Sequence, residues 1–177
     1  STTEEYMKMT SAHIITYGMK NACDVRAENV NFTGQGTNFH LITPKGNRQV
    51  TTKLIGIFNV YNVLAAVSVG LAAGINIDTM INSLSSFAGV PGRFELVQAG
   101  QKFPVIVDYA HTPDSLENVL KTVTSLPHSR IFVVVGCGGD RDHGKRPLMA
   151  RIACTYASDA IFTSDNPRSE DPMAILN

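Results

Sequence analysis

Apolar and polar positions alternate in short segments over the first third of the chain, and longer apolar runs follow. Four alternating segments bounded by glycine and proline turns predict a small antiparallel set of strands: 12–18, 24–32, 37–44 and 48–54. Residues 58–74 are rich in Leu and Ala and apolar on most faces, so we expect a buried helix that ends at Gly74. A second helix is predicted over 78–89, with Asp78 as its N-cap.

The second half alternates short apolar runs with amphipathic segments. Strands of the buried type are predicted at 103–109, 130–136 and 159–164, and helices at 112–126, 146–157 and 169–177. Thr112 caps the first of these helices with Pro113 at position N1, and Pro147 occupies N1 of the second. This alternation predicts an α/β fold, with a parallel sheet and helices on its faces. Clustered glycines and a proline place a domain boundary between residues 98 and 99.

The composition narrows the classes of function. Lys plus Arg number 15 and Asp plus Glu number 15, so no basic surplus points to a nucleic acid or to a membrane surface. No apolar run reaches the roughly 18 residues of a membrane span, and the N-terminal segment lacks the apolar core of a signal peptide. The cysteines, Cys23, Cys137 and Cys154, show no C-x-x-C spacing. We therefore expect a cytoplasmic monomer that acts on small molecules.

Nearly all unusual polar residues of the second half follow the three predicted strands, at the edge where open α/β sheets bind ligands. The segment 136–147 combines glycines, which let a ligand approach the backbone, with three bases: Arg141, Lys145 and Arg146. It matches neither the P-loop nor G-x-G-x-x-G. A solvated turn would explain it, but bases beside glycines at a strand end favour a site for phosphate or carboxylate.

The segment 164–168 places opposite charges close together after the third strand. Pro167 fixes its own φ and restricts Asn166 to extended conformations. The side chains of Asp165 and Arg168 are thereby held at a defined separation. An Arg fork and a carboxylate together would fit the zwitterionic end of an α-amino acid. A mutual surface ion pair explains the two residues equally well from chemistry alone.

Other polar positions suit a nucleotide. Asn62, near a helix start, can cap the helix or present a donor and an acceptor to an adenine edge. Asp108 ends the first strand and can hold ribose hydroxyls or a metal, and Tyr109 can cover a base. Arg93 lies close to the predicted boundary, where a ligand between two domains would be contacted from both sides.

Five segments in this order resemble the Mur ligases of peptidoglycan synthesis: 56–66, 89–95, 107–120, 136–147 and 164–172. The resemblance covers essentially the whole chain and is greatest to the diaminopimelate-adding members. It implies the C-terminal part of the central ATPase domain (1–98), followed by the first half of a Rossmann-like parallel α/β domain (99–177). It also implies ATP and Mg²⁺. The implied substrates are UDP-N-acetylmuramoyl-L-alanyl-D-glutamate and meso-diaminopimelate, joined through an acyl phosphate.

The resemblance also implies roles for single residues. Matches to the ATP-contacting positions are Asn62 (adenine), Arg93 (phosphates), Asp108 (ribose) and Tyr109 (adenosine). Matches to the diaminopimelate-binding positions are Arg141, Asp165, Asn166, Pro167 and Arg168. Arg93 and Lys145 are the implied catalytic residues, with Lys145 near the phosphates. Lysine-adding relatives tend to differ at the position of Arg168.

The sequence departs from the family's pattern in several places. It lacks the P-loop, the UDP-binding domain, the carbamylated lysine that helps to hold Mg²⁺, and the Gly and Glu that complete the diaminopimelate pocket. We therefore expect a fragment, without metal ligands of its own, that cannot turn over by itself. Two alternatives are a non-catalytic module that binds a nucleotide or an amino acid, and a sister ligase such as a folylpolyglutamate synthetase. The D-N-P-R sequence speaks against the latter.

Overall fold

The structure, a computed structural model, describes residues 2–20 and 22–176. It divides into two compact units, one ending at Ala88 and the other beginning at Gly89. This division lies earlier than the predicted boundary at 98/99. The reason is strand pairing: β5 (Glu95–Val97) is antiparallel to β6 (Val105–Val107), which ties the residues before 98 to the second unit.

The first unit contains a four-stranded sheet and three helices. Its elements are α1 (Thr2–Lys8), β1 (Tyr17–Gly18), β2 (Val25–Thr33), β3 (Gly36–Ile42), β4 (Arg48–Thr52), α2 (Ile57–Ala72) and α3 (Ile77–Ser86). The sheet order is β1-β2-β3-β4, with β2, β3 and β4 antiparallel, as predicted. The first predicted strand is only two residues long, and it pairs parallel to β2.

The core of this unit lies between one face of the sheet and one face of α2. In β3, Phe39 and Leu41 are fully buried while His40 between them is exposed, as expected for a sheet with one solvated face. The α2 residues packed against the sheet are Val60, Val63, Leu64 and Val67. The predicted burial of α2 holds for one side of the helix, where the sheet and α3 pack against it. Tyr61 and Val69 are exposed on its other side.

The N-cap of α3 differs from the predicted one. Asn76 is the cap, and its side-chain oxygen accepts hydrogen bonds from the backbone N–H groups of Asp78 and Thr79. Asp78 lies instead in the first turn, where Arg48 Nε donates to its carboxylate over 2.6 Å. Asp and Asn both serve as N-caps, so the sequence pattern alone left two positions open.

The second unit has two strand pairs and three helices. Besides β5 and β6, its elements are α4 (Pro113–Ser125), β7 (Phe132–Val135), α5 (Lys145–Tyr156), β8 (Asp159–Phe162) and α6 (Pro172–Leu176). The predicted parallel arrangement is confirmed for β7 and β8. In the described strand ladders β6 pairs with β5 instead of β7, because residues 98–104 are short enough to return the chain as a hairpin.

Helices α4 and α5 cover one face of β7. Leu116, Leu120 and Met149 form the buried cluster, with Val133 and Val135 packed against it. The opposite face of the β7–β8 pair exposes apolar side chains: Phe132, Val134 and Ile161. A parallel strand pair is normally covered on both faces. In the described residues, helices cover only one face of the β7–β8 pair.

The helix starts of this unit follow the proline signals in part. Thr112 caps α4 through a capping box with Ser115, and Pro113 is at N1, as predicted. Helix α5 begins two residues before Pro147, so the prediction of N1 for this proline was wrong. The proline is tolerated there because the N–H groups of a first helical turn have no intrahelical partner. None of the helices described in residues 2–20 and 22–176 combines the length and apolar character that a bilayer crossing needs.

Candidate functional site

The three strand ends of the second unit are joined by hydrogen bonds. Lys145 Nζ donates to the carbonyl oxygen of His111 over 2.8 Å, which links the end of β6 to the start of α5. The backbone N–H of Gly139 donates to the carbonyl oxygen of Asn166 over 2.9 Å, which links the ends of β7 and β8. The polar segments that the sequence placed at one edge therefore do come together.

The segments 136–146 and 163–171, here called the glycine loop and the Arg168 loop, approach each other without space for side chains. A Cβ on Gly139 would lie 1.8 Å from the carbonyl oxygen of Pro167, and one on Gly136 would lie 2.8 Å from that of Thr163. Real Cβ atoms essentially never come this close to backbone. Glycine at these two positions is therefore what lets the two loops touch.

Arg168 does not pair with Asp165. Its Nη1 donates to the carbonyl oxygen of Gly139, and its backbone has a φ of +51°, in the left-handed region. Asp165 is exposed and takes part in none of the ion pairs found among the described residues. The mutual Asp165–Arg168 ion pair, one of the two explanations for these charges, is therefore not formed in the described structure.

Arg141 follows Asp140 in the glycine loop, and the guanidinium groups of Arg141 and Arg168 both lie within electrostatic range of the Asp140 carboxylate. One of the Arg141 guanidinium nitrogens, Nη1, donates to the carbonyl oxygen of Asp140 over 3.0 Å, and Arg141 is exposed. Arg141, Asp165 and Arg168 therefore leave two guanidinium groups and one carboxylate at a single surface. Such a set can bind carboxylates through the forks and an ammonium through the carboxylate.

Three of the predicted nucleotide residues form a second group in the same unit. The Arg93 guanidinium lies over the Tyr109 ring, 4.4 Å from its centroid, and Tyr109 is still 64% exposed. Asp108 accepts hydrogen bonds from the backbone N–H groups of Phe94 (2.7 Å) and Ala110 (2.8 Å). Phe94 has a φ of +48°, so one of these bonds stabilises a left-handed residue directly beside Arg93. Asp108 thus organises this strand end, in addition to any contact with a ribose.

Asn62 belongs to the first unit, whereas all other predicted site residues belong to the second. It lies on α2, where its Nδ2 donates to Asn59 Oδ1 over 3.2 Å. Asn59 is buried and donates in turn to the carbonyl oxygen of Ile55 over 2.9 Å. Asn59 and Asn62 therefore share a helix face, and Asn62 itself is exposed.

Sequence reasoning missed the acidic residues that connect the two loops. Asp140 accepts from Ser169 Oγ over 2.6 Å, and these bonds lower the pKa of its carboxyl group. Glu170 accepts from Arg146, whose guanidinium lowers the pKa of the Glu170 carboxyl group. The available signal was an acid close to each group of bases, Asp140 before Arg141 and Glu170 after Arg168, but local spacing could not identify their partners, which are more than 20 residues away in sequence.

A cavity of about 490 Å³ lies beneath the glycine loop, but none of the predicted substrate residues lines it. Its walls are mainly apolar and include Met149, Phe162 and Ile175, with His143 and Arg146 as the charged members. Within the described residues, no three His, Cys, Asp or Glu side chains converge as a metal site requires. The predicted substrate residues of this unit therefore lie outside this cavity, and the described residues do not fit a magnesium site.

Comparisons with known proteins give consistent matches. Residues 1–70 match the model of the Mur ligase middle domain, and residues 92–177 match that of the Mur ligase, glutamate ligase domain. The UDP-N-acetylmuramoyl-L-alanyl-D-glutamate–2,6-diaminopimelate ligase of Bacillus velezensis is 60% identical over 171 residues, which are 97% of this chain and 35% of that protein. The chain thus spans about a third of the length of such curated relatives.

Solved structures agree with these matches. A structure of a UDP-N-acetylmuramoyl-L-alanyl-D-glutamate–2,6-diaminopimelate ligase is 39% identical, with a TM-score of 0.60, over 92% of this chain and 33% of its own. MurF from Acinetobacter baumannii is 25% identical, with a TM-score of 0.74, over 93% and 36%. Both the sequence and the fold of the present chain are therefore similar to these enzymes.

Proposed function

Since this chain belongs to the Mur ligase family, we propose that it is part of an ATP-dependent ligase that adds meso-2,6-diaminopimelate to UDP-N-acetylmuramoyl-L-alanyl-D-glutamate. Relatives about 60% identical carry that name, which supports this choice within the family. The proposed reaction consumes ATP, forms an acyl phosphate on the terminal carboxylate, and joins an amine of diaminopimelate to it. It would take place in the cytoplasm, in a monomeric enzyme of peptidoglycan synthesis.

The two parts of the chain would have different tasks. The residues up to Ala88 would belong to the central ATP-binding domain, and those from Gly89 onward would belong to the domain that binds the incoming amino acid. The matches to a middle-domain model and to a ligase-domain model support this division of labour. The exposed Asn62 would contact adenine from the first part. The described residues provide no ligand set for Mg²⁺, so no step is assigned to the metal here.

Recognition of diaminopimelate would use the surface formed by the two loops. Arg141 and Arg168 would bind a carboxylate of the zwitterionic end, and Asp165 would accept from its ammonium. Asn166 and Pro167 would hold the Asp165 and Arg168 side chains apart. This arrangement leaves the second amine of diaminopimelate available for attack on the acyl phosphate.

The nucleotide would be held by the group around Tyr109. Its exposed ring would lie against the adenosine, and Asp108 would contact the ribose with the lone pairs that its backbone hydrogen bonds leave. Arg93 and Lys145 would bind phosphate and stabilise the negative charge that develops during transfer. Lys145 already lies at the junction of the β6 and β7 ends, through its bond to His111.

The observation that carries this proposal is that Asp165 forms no ion pair within the described part of the chain, although it lies beside Arg168 at the junction of the two loops. We expect Arg168→Ala in the complete protein to raise KM for diaminopimelate roughly 10- to 100-fold and to change KM for ATP little, because the fork binds only the amino acid. Steady-state ligation assays with diaminopimelate and with lysine measure both constants.

Arg130→Ala is the matched control, since Arg130 pairs with Asp159 at the opposite end of β7. It should leave both Michaelis constants unchanged. A diaminopimelate KM that is the same in Arg168→Ala as in the wild type would reject the assigned role of Arg168. A wild-type enzyme that ligates lysine but not diaminopimelate would reject the substrate.

A further inference from the structure

Glu170 follows the D-N-P-R residues, and its carboxylate contacts the glycine loop. Both of its oxygens accept from Arg146 Nη2 over 2.8 Å, and Oε1 also accepts from the backbone N–H of Asp140 over 2.5 Å. His143 Nε2 lies 3.3 Å from the same oxygen. The Glu170 and Arg146 side chains are only 19% and 14% exposed. The Glu170 carboxylate thus connects the Arg168 loop to the backbone of Asp140, to Arg146 at the start of α5, and to the His143 ring.

The backbone on both sides of this connection is strained. Asp140 and Arg168 have φ values of +53° and +51°, in a region that residues other than glycine rarely adopt. Such conformations persist only when their surroundings hold them. The Asp140 N–H is held by Glu170, and the Asp140 carboxylate accepts from the backbone N–H (3.2 Å) and Oγ (2.6 Å) of Ser169, next to Arg168.

The two strained residues are also those that direct the substrate-binding side chains. Asp140 immediately precedes Arg141, so its backbone conformation affects the direction in which the Arg141 side chain leaves the loop. Arg168 is itself strained, and its Nη1 reaches back to Gly139. A change at the Glu170 carboxylate would therefore alter the positions of both the Arg141 and the Arg168 guanidinium groups, although Glu170 is hydrogen-bonded to neither in the described structure.

We propose that Glu170 is a positioning residue for amino-acid recognition: paired with Arg146, it holds the glycine loop and the Arg168 loop together so that Arg141 and Arg168 address one carboxylate. This inference rests on the proposed function and extends it to a residue outside the substrate contacts. Because Arg146 neutralises its charge, Glu170 performs this role without competing with the substrate's carboxylate for Arg141.

The test uses Glu170→Gln in the complete protein. Gln keeps the size of Glu but replaces one accepting oxygen by an NH₂ group, which cannot accept from Arg146. We expect KM for diaminopimelate to rise roughly 10- to 100-fold, the range that displaced binding groups produce, with KM for ATP changed by less than about twofold. Amide hydrogen exchange at Asp140 should become at least about tenfold faster as the loop opens locally.

Two further variants separate positioning from general stability. Glu117→Gln removes a comparable carboxylate, which pairs with Lys121 and Tyr156 on the helices of the same unit, and should leave both readouts unchanged. Arg146→Lys keeps the charge, but the Lys ammonium ends one bond short of the position of Nη2, the nitrogen that donates to both Glu170 oxygens. Arg146→Lys should therefore also raise KM for diaminopimelate. This variant tests the Glu170–Arg146 pair if Glu170→Gln does not fold.

The outcomes distinguish this inference from the proposed function. If Arg168→Ala raises KM for diaminopimelate while Glu170→Gln and Arg146→Lys do not, the positioning role is overturned and the proposed function stands. If the wild-type protein does not ligate diaminopimelate, the proposed function fails. Amide exchange alone then tests whether Glu170 holds the two loops together. Asp140 exchange that is equal in Glu170→Gln and Glu117→Gln would then overturn the linkage as well.

Discussion

Gly139 is the residue at which the two loops meet, and it permits no side chain. A Cβ there would lie 1.8 Å from the carbonyl oxygen of Pro167, a backbone atom that cannot rotate away. We expect Gly139→Ala to destabilise the protein by about 1–3 kcal/mol, the usual cost of forcing extra atoms into a packed site. Chemical denaturation followed by circular dichroism measures this change.

The neighbouring Gly138 provides a matched control. A Cβ at Gly138 would meet Arg168 Nη1 at 3.4 Å, the end of a flexible side chain, so Gly138→Ala should cost clearly less than Gly139→Ala. Equal losses in the two variants would mean that the loops can separate at little cost. In that case the close approach at Gly139 would not be what holds them.

At the level of the elements, the start of α3 depends on Asn76. Its side chain satisfies two backbone N–H groups that a helix start would otherwise leave unpaired. We expect Asn76→Ala to cost about 1 kcal/mol, and Asn76→Asp to retain most of the stability, because Asp caps equally well. Thermal unfolding of the two variants tests this, and an Ala variant as stable as the Asp variant would contradict the capping role.

The sequence predicted elements better than it predicted their partners. Most helices and strands were identified because periodicity and capping are local, as at Thr112 and Pro113, but the short elements α1 and β5 were not predicted. The pairing of β6 with β5 was missed because β5 itself was not predicted as a strand, since a segment of three residues is too short to show a clear period. Asp78 was likewise predicted to be the N-cap of α3, whereas Asn76 is the cap. Both residue types cap helices, so the sequence alone does not decide which of the two does so here.

The same distinction applies to the candidate site. Glycines and bases at strand ends predicted that the polar segments meet at one edge of the sheet, and the hydrogen bonds between the segments confirm this, because parallel strands bring their ends together. Glu170 and Asp140 were not singled out, since their partners, Arg146 and Ser169, lie in the other loop. A sequence therefore reveals side chains that bind ligands more readily than the acids that hold those side chains in place.

On the scale of the whole molecule, carboxylates with lowered pKa values occur in both units. In the first unit, hydrogen bonds from Thr16 lower the pKa of Asp24, and Arg48 lowers that of Asp78. In the second, hydrogen bonds from Lys121, Ser169 and Arg146 lower the pKa values of Glu117, Asp140 and Glu170, respectively. Each of these groups binds a proton less readily in the folded state than in the unfolded state.

The consequence is an acid-sensitive stability with a defined sign. A carboxylate with a depressed folded pKa contributes fully above its unfolded pKa, about 4, and loses its contribution as the pH falls through the folded pKa. We therefore expect the free energy of unfolding to be nearly constant from pH 7 to about pH 5 and to decline below about pH 4. Urea unfolding at a series of pH values between 7 and 3 measures this decline.

Single amide variants test which groups cause the decline. Asp24→Asn keeps an oxygen that can accept from Thr16 but cannot be protonated in this range, so its unfolding free energy should fall less steeply with acidification than that of the wild type. Glu170→Gln should flatten the decline in the same way, with a lower starting stability because the bond to Arg146 is lost. Curves for both variants that run parallel to the wild type throughout would show that other carboxylates carry the acid sensitivity, and the paired acids named here would then stabilise the fold by geometry alone.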